Sequence, residues 1–330
     1  MKRNPIGENG MSDLETTNVS IVIPLLNEEQ CLEALYAEII SVFYEFTDRY
    51  EIIFVNDGSS DESQSVLEKI AASDRETRTH VVQLKKNCGK ATALSVGFSL
   101  AKGDIIITMD ADLQDDPKEI PRFLEKIREG YDVVSGWKYD RKDSFIKNNT
   151  SKIYNYFTSL FGGVKLHDHN CGFKAYRKEA LEDMELYGQL HRFIPVLVAA
   201  NGHTRITEIG VNHRKRTFGK TKYGLNRFLH GFLDLLTVFF ITKYKSKPLH
   251  FFGSVGLVFF SFGFVAALYL SYLRLVENAI IGNRPLLFLS VLLMVVGVQM
   301  VTTGLISEQI THSLEKKNLE SLVSHPKYAL

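Results

Sequence analysis

The chain has 330 residues, 45% of them hydrophobic and 23% charged, and a formal net charge of +1. So even a balance argues against a general nucleic-acid binder, which would carry a large basic surplus. Cys31, Cys88 and Cys171 lie far apart with no C-x-x-C spacing, so neither a zinc site nor a disulfide framework is indicated, and a reducing cytosol fits.

The start, residues 1–18, is polar and lacks an apolar signal core, so it reads as a tail. From Val19 to Gly136 β-branched runs alternate with helical patterns, as expected of an α/β domain with a mostly parallel sheet. The predicted strands are VSIVIPL, EIIFV, HVVQL, DIIITM and DVVSG. After the first, Asn27 is placed to cap a helix and Gln30 to complete a capping box, with Leu32, Leu35, Ile39, Phe43 and Phe46 at helical spacing. After the fourth, Asp116 stands at a cap position, Pro117 at the first helical position and Glu119 three beyond the cap, while Gly130 ends the helix. Neither G-x-G-x-x-G after the first strand nor a P-loop motif is present, which removes the main support for dinucleotide and P-loop readings.

Ligands of such sheets bind beyond the carboxyl ends of the strands, and polar residues gather there. Strand two runs into NDGSSDES, with Asp57 beside Gly58, whose missing side chain lets a ligand approach the backbone; a plain turn uses Asp-Gly equally well. Strand four runs into DADLQDDP, so Asp110, Asp112 and Gln114 would share one face if the extension continued. Hard oxygen ligands of this kind, completed by a substrate diphosphate, suit Mg²⁺ or Mn²⁺; a solvated acidic loop, with Asp115 and Asp116 as helix-start charges, is the simpler alternative. His167 and His169 flank Asp168 and would share a face on a strand, but no third zinc ligand is indicated, and Cys171 reads as packing.

Between Gly202 and Lys247 ten Lys or Arg stand against Glu208 and Asp234, a run that faces something anionic, either a substrate or phospholipid headgroups. Leu225, Phe228, Leu229, Phe232, Leu233, Leu236 and Phe239 form an apolar face opposite Asn226, Arg227, His230 and Asp234, as in a helix lying at a membrane interface or in a domain core. Phe251–Leu273 and Leu286–Ile306 hold no charged side chain and, at about 1.5 Å per residue, are each long enough to cross a bilayer core of roughly 30 Å. The lysines at 243, 245, 247, 316 and 317 flank this hairpin on one side, which places both termini in the cytosol.

Taken in order, VSIVIPLLNEE, VNDGSSDES, KKNCGKATALSVGF, DADLQDDP, DHNCGFKAYRKEAL and HRKRTFGKTKY resemble glycosyltransferase family two, and more narrowly the polyprenyl-phosphate glycosyltransferases such as dolichol-phosphate mannose synthase and bacterial undecaprenyl-phosphate glucosyltransferases. The resemblance covers about Val19 to Tyr223, and the hairpin is similar to that of the bacterial members. It implies a Rossmann-like, GT-A type catalytic domain over 19–223, a juxtamembrane segment over 224–250, transmembrane helices over 251–273 and 286–306, and a cytosolic tail over 307–330. It also implies nucleotide contacts at Pro24, Leu26, Glu28 and Asp57, with Asp110 near the ribose or a metal-bound water. Leu26 departs from the aromatic residue of many relatives. Asp112 and Gln114 are implied as ligands of Mg²⁺ or Mn²⁺, Arg216 and Lys222 as the basic pair over the donor diphosphate, and Lys138, Lys147 and Ser151 as the acceptor-phosphate site.

Asp168 matches the residue usually drawn as a catalytic base. A phosphate monoester, whose second pKa is near 6, is already ionised at cytosolic pH, so Asp168 is expected to orient the acceptor or sugar, or to stabilise positive charge at the anomeric carbon. The implied activity is inverting transfer of a sugar, with glucose from UDP-glucose as the first choice and mannose or N-acetylglucosamine as alternatives, onto undecaprenyl phosphate at the bacterial inner membrane. A downstream flippase and a homo-oligomer are the implied protein partners, and no nucleic acid is. A processive polysaccharide synthase would carry Q-x-x-R-W, whereas the single tryptophan here is Trp137; a catalytically idle nucleotide-sugar scaffold fits poorly with intact acidic and basic motifs.

Overall fold

A computed structural model describes residues 18–46, 49–74, 78–138, 155, 158–160, 162–182, 184, 186–214, 227–244 and 247–322. The chain divides into two compact units, Met1–Val238 and Phe239–Leu330.

The first unit is built on a sheet of seven strands in the order β3-β2-β1-β4-β6-β5-β7. Its five predicted strands form as β1 (Val19–Leu25), β2 (Tyr50–Asn56), β3 (Thr79–Gln83), β4 (Ile105–Thr108) and β5 (Val133–Trp137). β1 pairs in parallel with β2 and β4, and β2 with β3. Two further strands were not anticipated. β6 (Lys174–Arg177) runs antiparallel between β4 and β5, and β7 (Ile206–Gly210) lies parallel to β5. Register decides where chemistry gathers: Lys174, the first residue of β6, pairs with Thr108 at the end of β4 and with Ser135 on β5. The antiparallel strand therefore begins where its parallel neighbours finish, and the loop before it joins theirs.

Helices cover the sheet: α1 (Leu32–Phe46), α2 (Ser63–Ser73), α3 (Lys90–Leu100), α4 (Ile120–Arg128) and α5 (Ile194–Ala200). Leu32, Leu35, Ile39 and Phe43 of α1 are fully buried against Ile21, Ile23, Ile52 and Phe54, each worth about 1.5–3 kcal/mol in removing apolar surface from water. Asn27 does not cap α1. It sits at φ 54° and its Oδ1 accepts from Ser60 N at 2.8 Å, stapling the loop after β1 to the loop after β2. Neighbouring parallel strands end side by side, so this cross-loop bond is closer at hand than the helix start. The cap at Asp116 forms as expected: its side chain accepts from Lys118 N, Pro117 opens a short 3-10 turn into α4, and Gly130 ends the helix at φ 93°.

Helix α6 (Arg227–Tyr244) spans the boundary of the two units. On it Leu236, assigned to the apolar face, is 48% exposed, whereas Leu235 and Val238 are buried. The second unit is a hairpin of α7 (Pro248–Leu275) and α8 (Pro285–Leu322), both long and apolar enough to cross a membrane. Phe262 and Phe288 are 67% and 71% exposed, which a core helix of a soluble protein would not tolerate in such numbers; lipid is the solvent that suits them. The helices meet through glycine. A Cβ on Gly256 would lie 2.6 Å from the Gly297 carbonyl oxygen, and one on Gly263 2.6 Å from that of Ser290, so backbones touch where side chains are missing. Leu249 N at the start of α7 donates to Glu308 Oε2 at 3.1 Å, satisfying one helix-end amide.

Candidate active site

The carboxyl ends of β1 and β2 hold the residues implied for the nucleotide. Pro24 lies inside β1, opposite Val55 of β2 and beyond the last pair with β4, the place in a central strand where a missing N–H costs no ladder bond. It is buried, and Leu26 and Glu28 are partly buried beyond it. Asp57 is 4% exposed, and its two oxygens accept from Cys88 N at 2.7 Å and Gly89 N at 2.9 Å. Its first task is thus to anchor the loop that opens α3, although a carboxylate keeps further lone pairs for a ligand. Gly58 serves the same junction: a Cβ there would meet the Lys86 carbonyl carbon at 2.5 Å. The close approach there is by the chain's own backbone.

The acidic motif folds as a turn, not an extended run. β4 stops at Thr108, and Leu113 takes φ 59°, so the alternation of Asp110, Asp112 and Gln114 ends. Asp112 Oδ1 accepts from Gln114 N at 3.2 Å, and the Gln114 amide nitrogen lies 3.3 Å from both His213 Nε2 and the Arg214 carbonyl oxygen. A bridge between Asp115 and His213 holds this turn to the segment after β7.

Four carboxylates share the turn, and two have their own lysine. Asp110 pairs with Lys90 of α3; burial raises its pKa, but Lys90 and Lys138 outweigh burial and hold it at about 2. Asp115, 1% exposed, pairs with Lys138 Nζ at 3.1 Å. It is therefore no solvated helix-start charge, and Lys138, assigned to an acceptor phosphate, pairs with it and neutralises the interior of the acidic turn; despite burial, its acidic neighbours raise its pKa. Asp116 does meet solvent-side chemistry, pairing with Arg214 at 2.8 Å. Asp112 has no ion-pair partner among the described residues. Burial and the charges of Asp110 and Asp115 lift its pKa to about 6.

These residues fit a divalent cation. A carboxylate made unusually proton-hungry by buried negative neighbours gains equally from a metal, and Asp112, Gln114 and His213 bring oxygen and nitrogen donors to one turn. Among the described residues no three His, Cys, Asp or Glu side chains close into a ready-made cage, so substrate oxygens would have to complete the coordination.

Asp168 lies in the loop before β6, 3% exposed, with Oδ1 accepting from Asn170 N at 3.0 Å. Its neighbours are clamped. Glu208 of β7 accepts from His167 N at 2.8 Å and pairs with the His167 ring, which stacks on Trp137 at 4.4 Å; Asn155 donates to the His167 carbonyl at 2.6 Å. On the other side His169 is fully buried, its Nε2 3.1 Å from Ser159 Oγ, and burial drives its pKa down to about 4, leaving it neutral. The two histidines face different partners, which disposes of a shared zinc site. Burial also raises the Cys171 thiol to about 11, consistent with packing and not with a nucleophile.

Lys147, Ser151, Arg216 and Lys222 lie outside the described residues. Lys90, His213 and Glu208 were not assigned roles from the sequence, although Lys90 and His213 stand within motifs already singled out. Position in KKNCGKATAL and at the head of HRKRTFGKTKY was the available signal; charge complementarity to Asp110 and Asp115 was not visible without the fold.

Residues 20–185 match the family described as Glycosyl transferase family 2. Dodecaprenyl-phosphate galacturonate synthase of Rhizobium johnstonii is 37% identical over 303 residues, covering 91% of this chain and 89% of that protein. Undecaprenyl-phosphate 4-deoxy-4-formamido-L-arabinose transferase of Photorhabdus laumondii is 37% identical over 302 residues, covering 91% and 90%. The first unit shares its fold with the crystal structure of glucosyl-3-phosphoglycerate synthase from Mycobacterium tuberculosis in complex with Mn²⁺ and UDP-glucose, at TM-score 0.52 and 20% identity over 73% of this chain and 84% of that one. The chain belongs to glycosyltransferase family 2 and, within it, to the polyprenyl-phosphate glycosyltransferases.

Proposed function

We propose that this enzyme transfers a sugar from a UDP-sugar onto a polyprenyl phosphate, undecaprenyl phosphate in a bacterium, at the cytosolic face of the inner membrane and with inversion at the anomeric carbon. The observation that carries the reading is the acidic turn, in which Asp110 and Asp115 are neutralised by lysines while Asp112 is not. Asp112 and Gln114, with His213 beside them, would hold Mg²⁺ or Mn²⁺, which as a Lewis acid favours departure of the nucleoside diphosphate. Arg216 and Lys222 are assigned to the same leaving group by their motif. Asp57, Glu28 and Pro24 bound the nucleotide end.

Asp168 needs to remove no proton from a phosphate that is already ionised. Its buried carboxylate, fixed by the bonds around His167 and His169, orients the reacting groups, and orientation of two bound substrates accounts for much of the rate in such a displacement. The lipid phosphate oxygen attacks the anomeric carbon opposite the departing diphosphate. Replacing Asp168 by Asn should lower the rate equally at every pH; a deficit that vanishes as pH rises would make Asp168 a base instead.

Glucose is the donor sugar expected from the family resemblance, whereas the names of the relatives at 37% identity support galacturonate or 4-formamido-arabinose. Purified full-length protein offered UDP-glucose, UDP-galacturonate and UDP-4-deoxy-4-formamido-L-arabinose, with a short polyprenyl phosphate and Mg²⁺ or Mn²⁺, tests the whole reading: mass spectrometry should find one sugar-phosphoprenol product, and its absence with every donor would refute transfer. A two-helix hairpin without charged residues in its spans offers no polar route for that sugar, so a separate flippase would act downstream.

A further inference from the structure

In the middle of the sheet, where β4 and β6 meet, a crevice of about 20 Å³ is lined by Lys90, Asn170, Lys174, His191 and Arg192. It has room for one substituent, not for a sugar ring. Sheet order gives it a place in the reaction: the nucleotide end lies on β1 and β2, Asp168 lies in the loop into β6, and the group transferred from one to the other must sit between them. Gly172, on the wall of the crevice, abuts the Asp110 carboxylate so closely that a Cβ would be 2.7 Å from its oxygens.

Part of the lining is left unsatisfied. His191 Nδ1 and Asn170 Oδ1 are buried without a hydrogen-bond partner. Lys174, 2% exposed, donates only to the carbonyl oxygens of His169 and Cys171, and no carboxylate pairs with it among the described residues. Arg192 likewise makes no ion pair among them, while the nearby Asp110 is already matched by Lys90. Buried polar atoms are normally paired, so this set is built for something that arrives. Burial, with Lys90 and Arg192 adding to it, pushes His191 down to about 2, so it meets that arrival as a neutral ring.

We infer that the crevice receives the C5 carboxylate of a hexuronosyl donor and that Arg192 is the residue that selects it. This rests on the reading of the chain as a UDP-sugar transferase. A carboxylate is an acceptor with about four lone-pair sites, which Arg192, Lys174 and a His191 N–H can share, whereas a hydroxymethyl group brings one oxygen and no charge. A ring hydroxyl would supply the donor that Asn170 Oδ1 lacks. The donor diphosphate offers the same anionic chemistry, so the test has to separate the two.

Full-length enzyme in bilayer nanodiscs with Mn²⁺ and a short polyprenyl phosphate should be compared on UDP-galacturonate and UDP-galactose, which differ only at C6. The expected result is a kcat/KM at least about tenfold higher for the uronate, as sites built around a polar group discriminate strongly against analogues lacking it. Arg192→Met should collapse that ratio toward one through the uronate arm alone, with UDP inhibition unchanged, which also reports an intact fold. Equal use of the two hexoses, or preference for UDP-glucose or the formamido-pentose, would overturn the inference while leaving sugar transfer standing. A loss of both arms together with weaker UDP inhibition would move Arg192 to the diphosphate and overturn it as well. No product from any UDP-sugar would instead remove the underlying reading.

Discussion

The acidic turn and the membrane hairpin face the same difficulty, polar groups away from water, and resolve it in opposite ways. In the turn, charge is admitted and matched: Asp115 with Lys138, Asp110 with Lys90, and Arg214 with both Glu38 and Asp116. In the hairpin, charge is excluded from the spans and glycines let the backbones touch. A matched charge network can leave one member unmatched, as at Asp112, and so hold a reactive or ligand-binding group ready; close apolar packing has nothing to spare.

Lys138→Met attacks the matched network hardest. It leaves Asp115 buried without its lysine, and a broken buried pair costs about 3–5 kcal/mol, read as a fall in denaturation midpoint; adding Asp115→Leu should recover most of the loss. If the single variant were as stable as the parent, the turn would not depend on charge matching.

Asp112→Asn probes the unmatched member. Transfer should fall by about 10²-fold or more, as for other losses of charge stabilisation at a reacting centre. Because the Asp112 carboxyl is raised to about 6, a cation must compete with its proton below that pH. Mn²⁺ affinity, followed by calorimetry, should therefore strengthen as pH rises from 5 to 7 and lose that dependence in the Asn variant. The same sign governs stability. A carboxyl raised above its ordinary value favours the folded state below pH ~4 and loses that advantage as pH climbs through about 6, so added Mn²⁺ should stabilise most above it.

On the hairpin side, Gly256→Val puts a branched side chain 2.6 Å from the Gly297 carbonyl and should cost about 1–3 kcal/mol of helix–helix packing, seen as easier separation of the two spans by detergent while UDP binding persists. Glu208→Ala is the mildest. It frees His167 and loosens the loop of Asp168, so kcat should fall by about tenfold with KM for the donor little changed, and Glu208→Gln, which can still accept from His167 N, should restore part of it. A KM effect without a kcat effect would place Glu208 in binding.

The strands β1 to β5 were readable because each is a short apolar run whose buried face needs no partner to be recognised. KAYR and ITEIG were not: Lys174 and Arg177 interrupt the pattern of β6, and Glu208 that of β7; Arg177 and Glu208 answer groups brought from elsewhere, the carbonyls of Ile127 and Tyr131 and the backbone of His167, while Lys174 turns back on the loop just before it. In the active site the acidic motif and Asp168 were legible by type and order. That Asp57 anchors the loop of α3, and that Lys138 pairs with Asp115, was not.

What the amino-acid order determined unaided is whatever depends on near neighbours: two uncharged spans, a parallel α/β unit, and acidic and basic motifs that name the chemistry of sugar transfer. What the tertiary structure alone decided is which charge cancels which. Coulomb attraction depends on distance in space, and the sheet order brings Lys90 to Asp110, His213 to Asp115 and Glu208 to His167 across long stretches of chain, leaving Asp112 without an ion-pair partner among the described residues.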